Sequence, residues 1–127
     1  MTAKRPTRIL LVENDALIHE LVRVIFESDQ YEVSVAVDSA EVHECVRNHA
    51  PDVVLLDVAL SRRTEGLKIC HELRTNQQTT DIPVVMLSAM GQESDVRAAY
   101  EAGADDYVLK PFSPSTLTRR VTRLLRR

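Results

Sequence analysis

The sequence predicts a doubly wound α/β fold, a five-stranded parallel sheet with helices on both faces. Apolar runs of strand length alternate five times with stretches of helical periodicity. Three of those runs (ILLV from Ile9, VVLLD from Val53, VVMLS from Val84) are continuous rather than alternating. That pattern belongs to strands covered on both faces. The connections are short, so each strand and the helix after it form one βα unit of a parallel sheet.

The elements follow in order. The first strand is expected over Arg8–Val12. The helix after it has Asp15 as N-cap and Leu17, Leu21, Val24, Ile25 and Ser28 along one face. A second strand, Glu32–Ala36, leads to a helix with Val42, Cys45 and Val46 at i, i+3, i+4. The third strand, Asp52–Asp57, precedes a helix carrying Leu67, Cys70 and Leu73. After Ile82–Leu87 comes a weakly amphipathic helix around Asp95 to Ala102, stopped by Gly103, a residue suited to the position just past a helix end. The last strand, Asp105–Leu109, is followed by Ser113-Pro114, an N-cap with proline at the first helical position. That helix continues with Leu117, Val121, Leu124 and Leu125 on one face.

Bulk properties narrow the function. The 127 residues fit one domain, 44% of them hydrophobic and 28% charged, which sustains a core and excludes disorder as the default. We expect a folded unit over about 8–126 behind a short tail at 1–7, with no effector domain in the chain. No apolar run is long enough to span a membrane, and the basic N-terminus lacks the apolar stretch of a secretory signal. Cys45 and Cys70 lie within helical patterns at no metal-ligand spacing, as reduced core residues of a cytoplasmic protein do. The net charge of −3 argues against wholesale nucleic-acid binding. Arg119, Arg120, Arg123, Arg126 and Arg127 are expected to form a solvated face or to pair with Glu101, Asp105 and Asp106, so direct DNA binding is not expected. His19, His43, His49 and His71 are assigned to helix surfaces away from any cleft.

The chemically able groups share a place. Glu13 and Asn14 follow the first strand, Asp57 closes the third, Ser88 the fourth and Lys110 the fifth. In a parallel sheet the carboxyl ends of the strands form the binding crevice, so these residues meet. Together they suit a phosphoryl group. Asp57 is a carboxylate nucleophile, and Glu13 and Asp57 offer hard oxygens to Mg²⁺. Ser88 can donate to a phosphoryl oxygen, and Lys110 can pair with another.

With RILLVEND at 8–15, PDVVLLD at 51–57, IPVVMLSA at 82–89 and EAGADDYVLKPF at 101–112, the chain resembles the receiver domains of two-component response regulators along nearly its whole length. The resemblance implies the flavodoxin/CheY-like (βα)₅ fold with strand order 2-1-3-4-5. It implies Asp57 as phosphoacceptor, Glu13, Asn14, Asp57 and the Ala59 backbone carbonyl as the Mg²⁺ site, and Ser88 and Lys110 as phosphoryl-binding groups. Ser88 and Tyr107 become the switch pair, and the Lys110-Pro111 bond is expected to be cis. A phosphohistidine on a sensor histidine kinase or phosphotransfer protein is the implied donor. The output is a changed preference for a downstream protein, or for a second copy, at the face made by helix four, strand five and helix five. Such a domain assists its own phosphorylation and dephosphorylation without being an enzyme.

Two departures stand out. The family usually has two acids after strand one; here they are Glu13 and Asn14. Two like charges about 4 Å apart repel by roughly 4 kcal/mol at an effective dielectric near 20, so losing one relaxes the metal-free site and weakens Mg²⁺ binding. The loop Val58–Gly66 is about one residue longer than usual, with Ser61 near where proline is typical. Asn14 also opens a second reading, a receiver-shaped interaction module that works without phosphorylation. A phosphohydrolase of the haloacid-dehalogenase type would need a second acid where Ala59 stands.

Overall fold

The computed structural model describes residues 5–60 and 64–126. Ser61 and Arg127 therefore lie outside the described residues. The order is β1 (Thr7–Val12), α1 (Ala16–Phe26), β2 (Tyr31–Ala36), α2 (Ser39–His49), β3 (Val53–Asp57), α3 (Glu65–Thr75), β4 (Val84–Ser88), α4 (Glu93–Glu101), β5 (Asp106–Leu109) and α5 (Pro114–Leu125). All five strands are parallel in the order β2-β1-β3-β4-β5, as expected. β1 begins one residue early, because Thr7 pairs with Tyr31 and donates its N–H to Gln30 O at 2.8 Å; Arg5 just before it forks onto Asp52 (3.1 and 3.2 Å).

The continuous apolar runs become two cores through the two-residue period of a strand. Leu10, Val12, Val54, Leu56, Val84 and Met86 face α2, α3 and α4, where Val42, Cys45, Ile69, Cys70, Leu73 and Ala99 meet them. Ile9, Leu11, Val53, Leu55, Val85 and Leu87 face α1 and α5, against Val22, Phe26, Leu117, Val121 and Leu124. Both cysteines are buried and free.

The expected caps form. Asp15 accepts the Leu17 N–H at 2.9 Å, and Ser113 accepts that of Thr116 at 3.2 Å with Pro114 opening α5. Gly103 follows α4 at φ +112°, and a Cβ there would lie 2.3 Å from Arg74 Cγ. The aliphatic stem of Arg74 fills that space, and its guanidinium donates to Gly103 O at 2.7 Å, Ile82 O at 2.7 Å and the Asp105 carboxylate. It ties α3 to the starts of β4 and β5.

The face expected for α1 is corrected. Leu17 and Val24 are 76% and 83% exposed, whereas Val22 and Phe26 are buried with Ile18 and Ile25 packed beside them. Ser28 lies beyond the helix, which ends at Phe26. Two overlapping apolar arcs run along α1, and its path out of β1 decides which one meets the sheet. Of the arginine tail, Arg120 and Arg123 pair with buried Asp106 at 2.8 and 3.2 Å.

Candidate functional site

Parallel register brings the predicted residues to one edge. Val12 lies opposite Leu56, Asp57 opposite Leu87 and Ser88 opposite Leu109, so the residues that end β1, β3, β4 and β5 surround one cleft. Gly66 lets α3 begin against it: a Cβ there would stand 2.1 Å from the Asp57 carbonyl oxygen and 2.7 Å from Val58 Cα. Only a residue without a side chain allows that approach.

Glu13 is 1% exposed and held on every side. Its N–H donates to Ala36 O at 3.1 Å, Oε1 accepts the Asp15 N–H at 3.2 Å, and Oε2 accepts Lys110 Nζ at 2.7 Å. Asp57, 5% exposed, accepts the Ala59 N–H on Oδ1 at 3.1 Å, with Lys110 Nζ 3.4 Å from Oδ2. Burial and then the neighbouring Glu13 charge push the Asp57 carboxyl up to about 6. The Lys110 ammonium and the Ala59 N–H oppose that rise, and a hydrogen bond with the Glu13 carboxyl adds to it. Two acids and one ammonium thus share a largely buried cleft.

Ser88 is buried, its Oγ accepting the Met90 N–H at 2.9 Å while its carbonyl accepts the Lys110 N–H at 2.8 Å. The backbone at the end of β4 therefore positions the lysine. The Lys110-Pro111 bond is cis, as expected. Tyr107 is half-buried against the α2–α3–α4 core, and its hydroxyl donates to the Met90 carbonyl. One loop residue, Met90, thus bonds both members of the expected switch pair.

Asn14 stands apart. It is exposed, and its Nδ2 donates to Leu60 O at 3.1 Å, across to the loop that follows Asp57. Among the described residues no group of three or more acidic, histidine or cysteine side chains is arranged to hold a metal. The oxygen donors near one another are the Glu13 and Asp57 carboxylates, with the Ala59 backbone beside them. That hard-oxygen set suits Mg²⁺ completed by water and phosphate oxygens.

One residue was misplaced by sequence reasoning. His19, assigned to a surface away from the cleft, sets a ring nitrogen against the Glu13 carbonyl. Helical side chains lean toward the N-terminus, so a histidine in the first turn of α1 reaches back over the loop that precedes it. The run from Glu13 to His19 held that signal.

The model of the response regulator receiver domain matches residues 9–122. The chain belongs to the response regulator receiver domain family. The receiver is 39% identical over 94% of its length to the DNA-binding dual master transcriptional regulator RpaA of Synechocystis sp. and covers 49% of that protein. It spans about half the length of the curated relatives it matches. The solved receiver domain of NtrX from Brucella abortus superposes with a TM-score of 0.82 at 31% identity, covering 93% of this chain and 98% of that one. The receiver of sensor histidine kinase PA1611 from Pseudomonas aeruginosa, described with magnesium coordinated in its active-site cleft, shares the fold (TM-score 0.84, 24% identity, 96% and 99% covered). The expectation against DNA binding gains no support, since RpaA is DNA-binding by name. Among the described residues no helix is long and apolar enough to cross a membrane.

Proposed function

We propose that this receiver is a cytoplasmic switch, controlled by transfer of a phosphoryl group from a phosphohistidine to Asp57. The single observation that carries this is the placement of Asp57, a nearly buried carboxylate between the Lys110 ammonium, the Ala59 N–H and a second acid. One carboxylate oxygen of Asp57 forms the new bond to phosphorus. The phosphorus–nitrogen bond to the donor imidazole breaks, and its electron pair stays on the imidazole.

Glu13, Asp57 and the Ala59 carbonyl are the groups that would hold Mg²⁺, with Asn14 reducing the charge offered to it. When bound, the cation offsets the repulsion between these carboxylates and the incoming phosphoryl group. Lys110 supplies a fixed positive charge to a phosphoryl oxygen. Ser88 Oγ uses an acceptor position on Met90 N–H, which leaves its own proton free to donate to another oxygen. The domain assists its own phosphorylation and dephosphorylation and is not an enzyme acting on a separate substrate.

The new group adds about −1.5 to −2 charge and three acceptor oxygens. Drawing Ser88 Oγ toward them loosens its bond to Met90, whose carbonyl also holds the Tyr107 hydroxyl. The change then reaches the α4–β5–α5 face, where Tyr100 and Leu109 are exposed, and alters its preference for a downstream protein or a second copy. For the donor, the exposed Leu17 and Val24 of α1, the helix that follows Glu13 and Asn14, offer apolar footing to a histidine kinase or phosphotransfer protein.

The test is intact-protein mass after incubation with Mg²⁺ and acetyl phosphate, beside Asp57→Asn. One added phosphoryl mass, absent from the variant, is expected, and beryllofluoride then traps the active form. The second reading, an interaction module that needs no phosphorylation, is favoured by Asn14 bonding Leu60. It gains the field if no adduct forms at any Mg²⁺ concentration.

A further inference from the structure

We propose that Asn14 is a positioning residue, whose amide N–H holds the loop after the phosphoacceptor in place. This rests on the reading of Asp57 as the phosphoacceptor. The Asn14 amide donates to Leu60 O at 3.1 Å between residues 46 apart in sequence. A carbonyl can only accept, so the nitrogen of Asn14 must face it, and an ionised aspartate at this place has no proton to give. The asparagine therefore does something its acidic counterpart cannot.

The tether acts at a specific place. Ala59 is already fixed by its N–H to Asp57 Oδ1, and Val58 by its carbonyl to the Gly66 N–H at 2.8 Å. Leu60, itself buried, is the next residue, and Asn14 holds its carbonyl from the opposite wall of the cleft. Val58, Ala59 and Leu60 are thus each bonded, which keeps the Ala59 backbone against the Asp57 carboxylate. The loop joining β1 to α1 is a firm anchor for this, because Glu13 is pinned through its N–H, its carbonyl and both carboxylate oxygens. The consequence is a cleft whose loop geometry is set before any cation arrives, in exchange for one lost acidic ligand.

Two variants separate the tether from ligation. In Asn14→Ala, amide exchange at Ala59 and Gly66, followed by NMR without metal, is expected to quicken about ten-fold. Its Mg²⁺ affinity by calorimetry should stay within about two-fold of wild type. Asn14→Asp also loses the donor, so the same amides quicken while Mg²⁺ binds more tightly. With acetyl phosphate at saturating Mg²⁺, Asn14→Ala should be modified several-fold more slowly. Weaker Mg²⁺ binding by ten-fold or more in Asn14→Ala, with exchange unchanged, would make Asn14 a ligand and overturn the proposal. Unchanged exchange with unchanged affinity would overturn it too. A wild-type protein that takes no phosphoryl group refutes the Asp57 reading instead, while the exchange data still judge the tether.

Discussion

Lys110 Nζ lies 2.7 Å from Oε2 of Glu13, a carboxylate that is 1% exposed and 97 residues away in sequence. This contact is the main compensation for a charge buried at the end of β1. Lys110→Met is expected to destabilise the domain by about 3 kcal/mol, because it strands that carboxylate without its partner. Urea denaturation measures this. Adding Glu13→Gln to the variant should recover part of the loss, and strict additivity of the two changes would contradict the pairing.

Asp57 makes stability depend on pH. Its carboxyl is raised from 3.8 to about 6, so the folded state holds this proton more tightly than the unfolded chain does. The contribution to stability is fully present below 3.8 and is lost as pH rises through about 6. Asp57→Asn should therefore stabilise the metal-free protein at pH 7, by on the order of 2 kcal/mol, and leave it unchanged near pH 3.5. Parallel melts of both proteins across that range check the sign, and a variant less stable at pH 7 would reverse it.

Gly66 admits no side chain, since a Cβ would meet the Asp57 carbonyl oxygen at 2.1 Å. Gly66→Ala should cost about 3 kcal/mol, at the upper end for overpacking, because the opposing atoms are backbone and cannot turn aside. It should also slow modification by acetyl phosphate, as α3 is pushed from the end of β3. Denaturation and intact mass read the two effects separately.

Ala50 caps α2 at φ 42°, in the left-handed region. Ala50→Gly removes that strain and should stabilise the fold by about 0.5–1 kcal/mol net of the extra freedom glycine brings to the unfolded chain. A thermal melt should show a rise of a few degrees, with phosphorylation unaffected.

Leu17→Lys with Val24→Lys tests the α1 surface. Both side chains are exposed, so stability should hold within about 0.5 kcal/mol. Phosphotransfer from a histidine kinase active on the wild type should fall about ten-fold or more, while modification by acetyl phosphate stays at the wild-type rate. Equal loss with both donors would move the defect from docking to the chemistry.

The sequence alone determined the number and order of elements, the parallel sheet, the caps at Asp15 and Ser113, and the gathering of Glu13, Asp57, Ser88 and Lys110. These depend on local periodicity and on strand ends, and both are written residue by residue. The tertiary structure decided three other things. It turned α1 so that Val22 and Phe26 entered the core in place of Leu17 and Val24. It set His19 against the Glu13 carbonyl, and it gave Asn14 the Leu60 carbonyl as its partner. A helix with two overlapping apolar arcs has no local reason to prefer one. A donor meets an acceptor 46 residues away only where the path of the chain between them brings the two loops together.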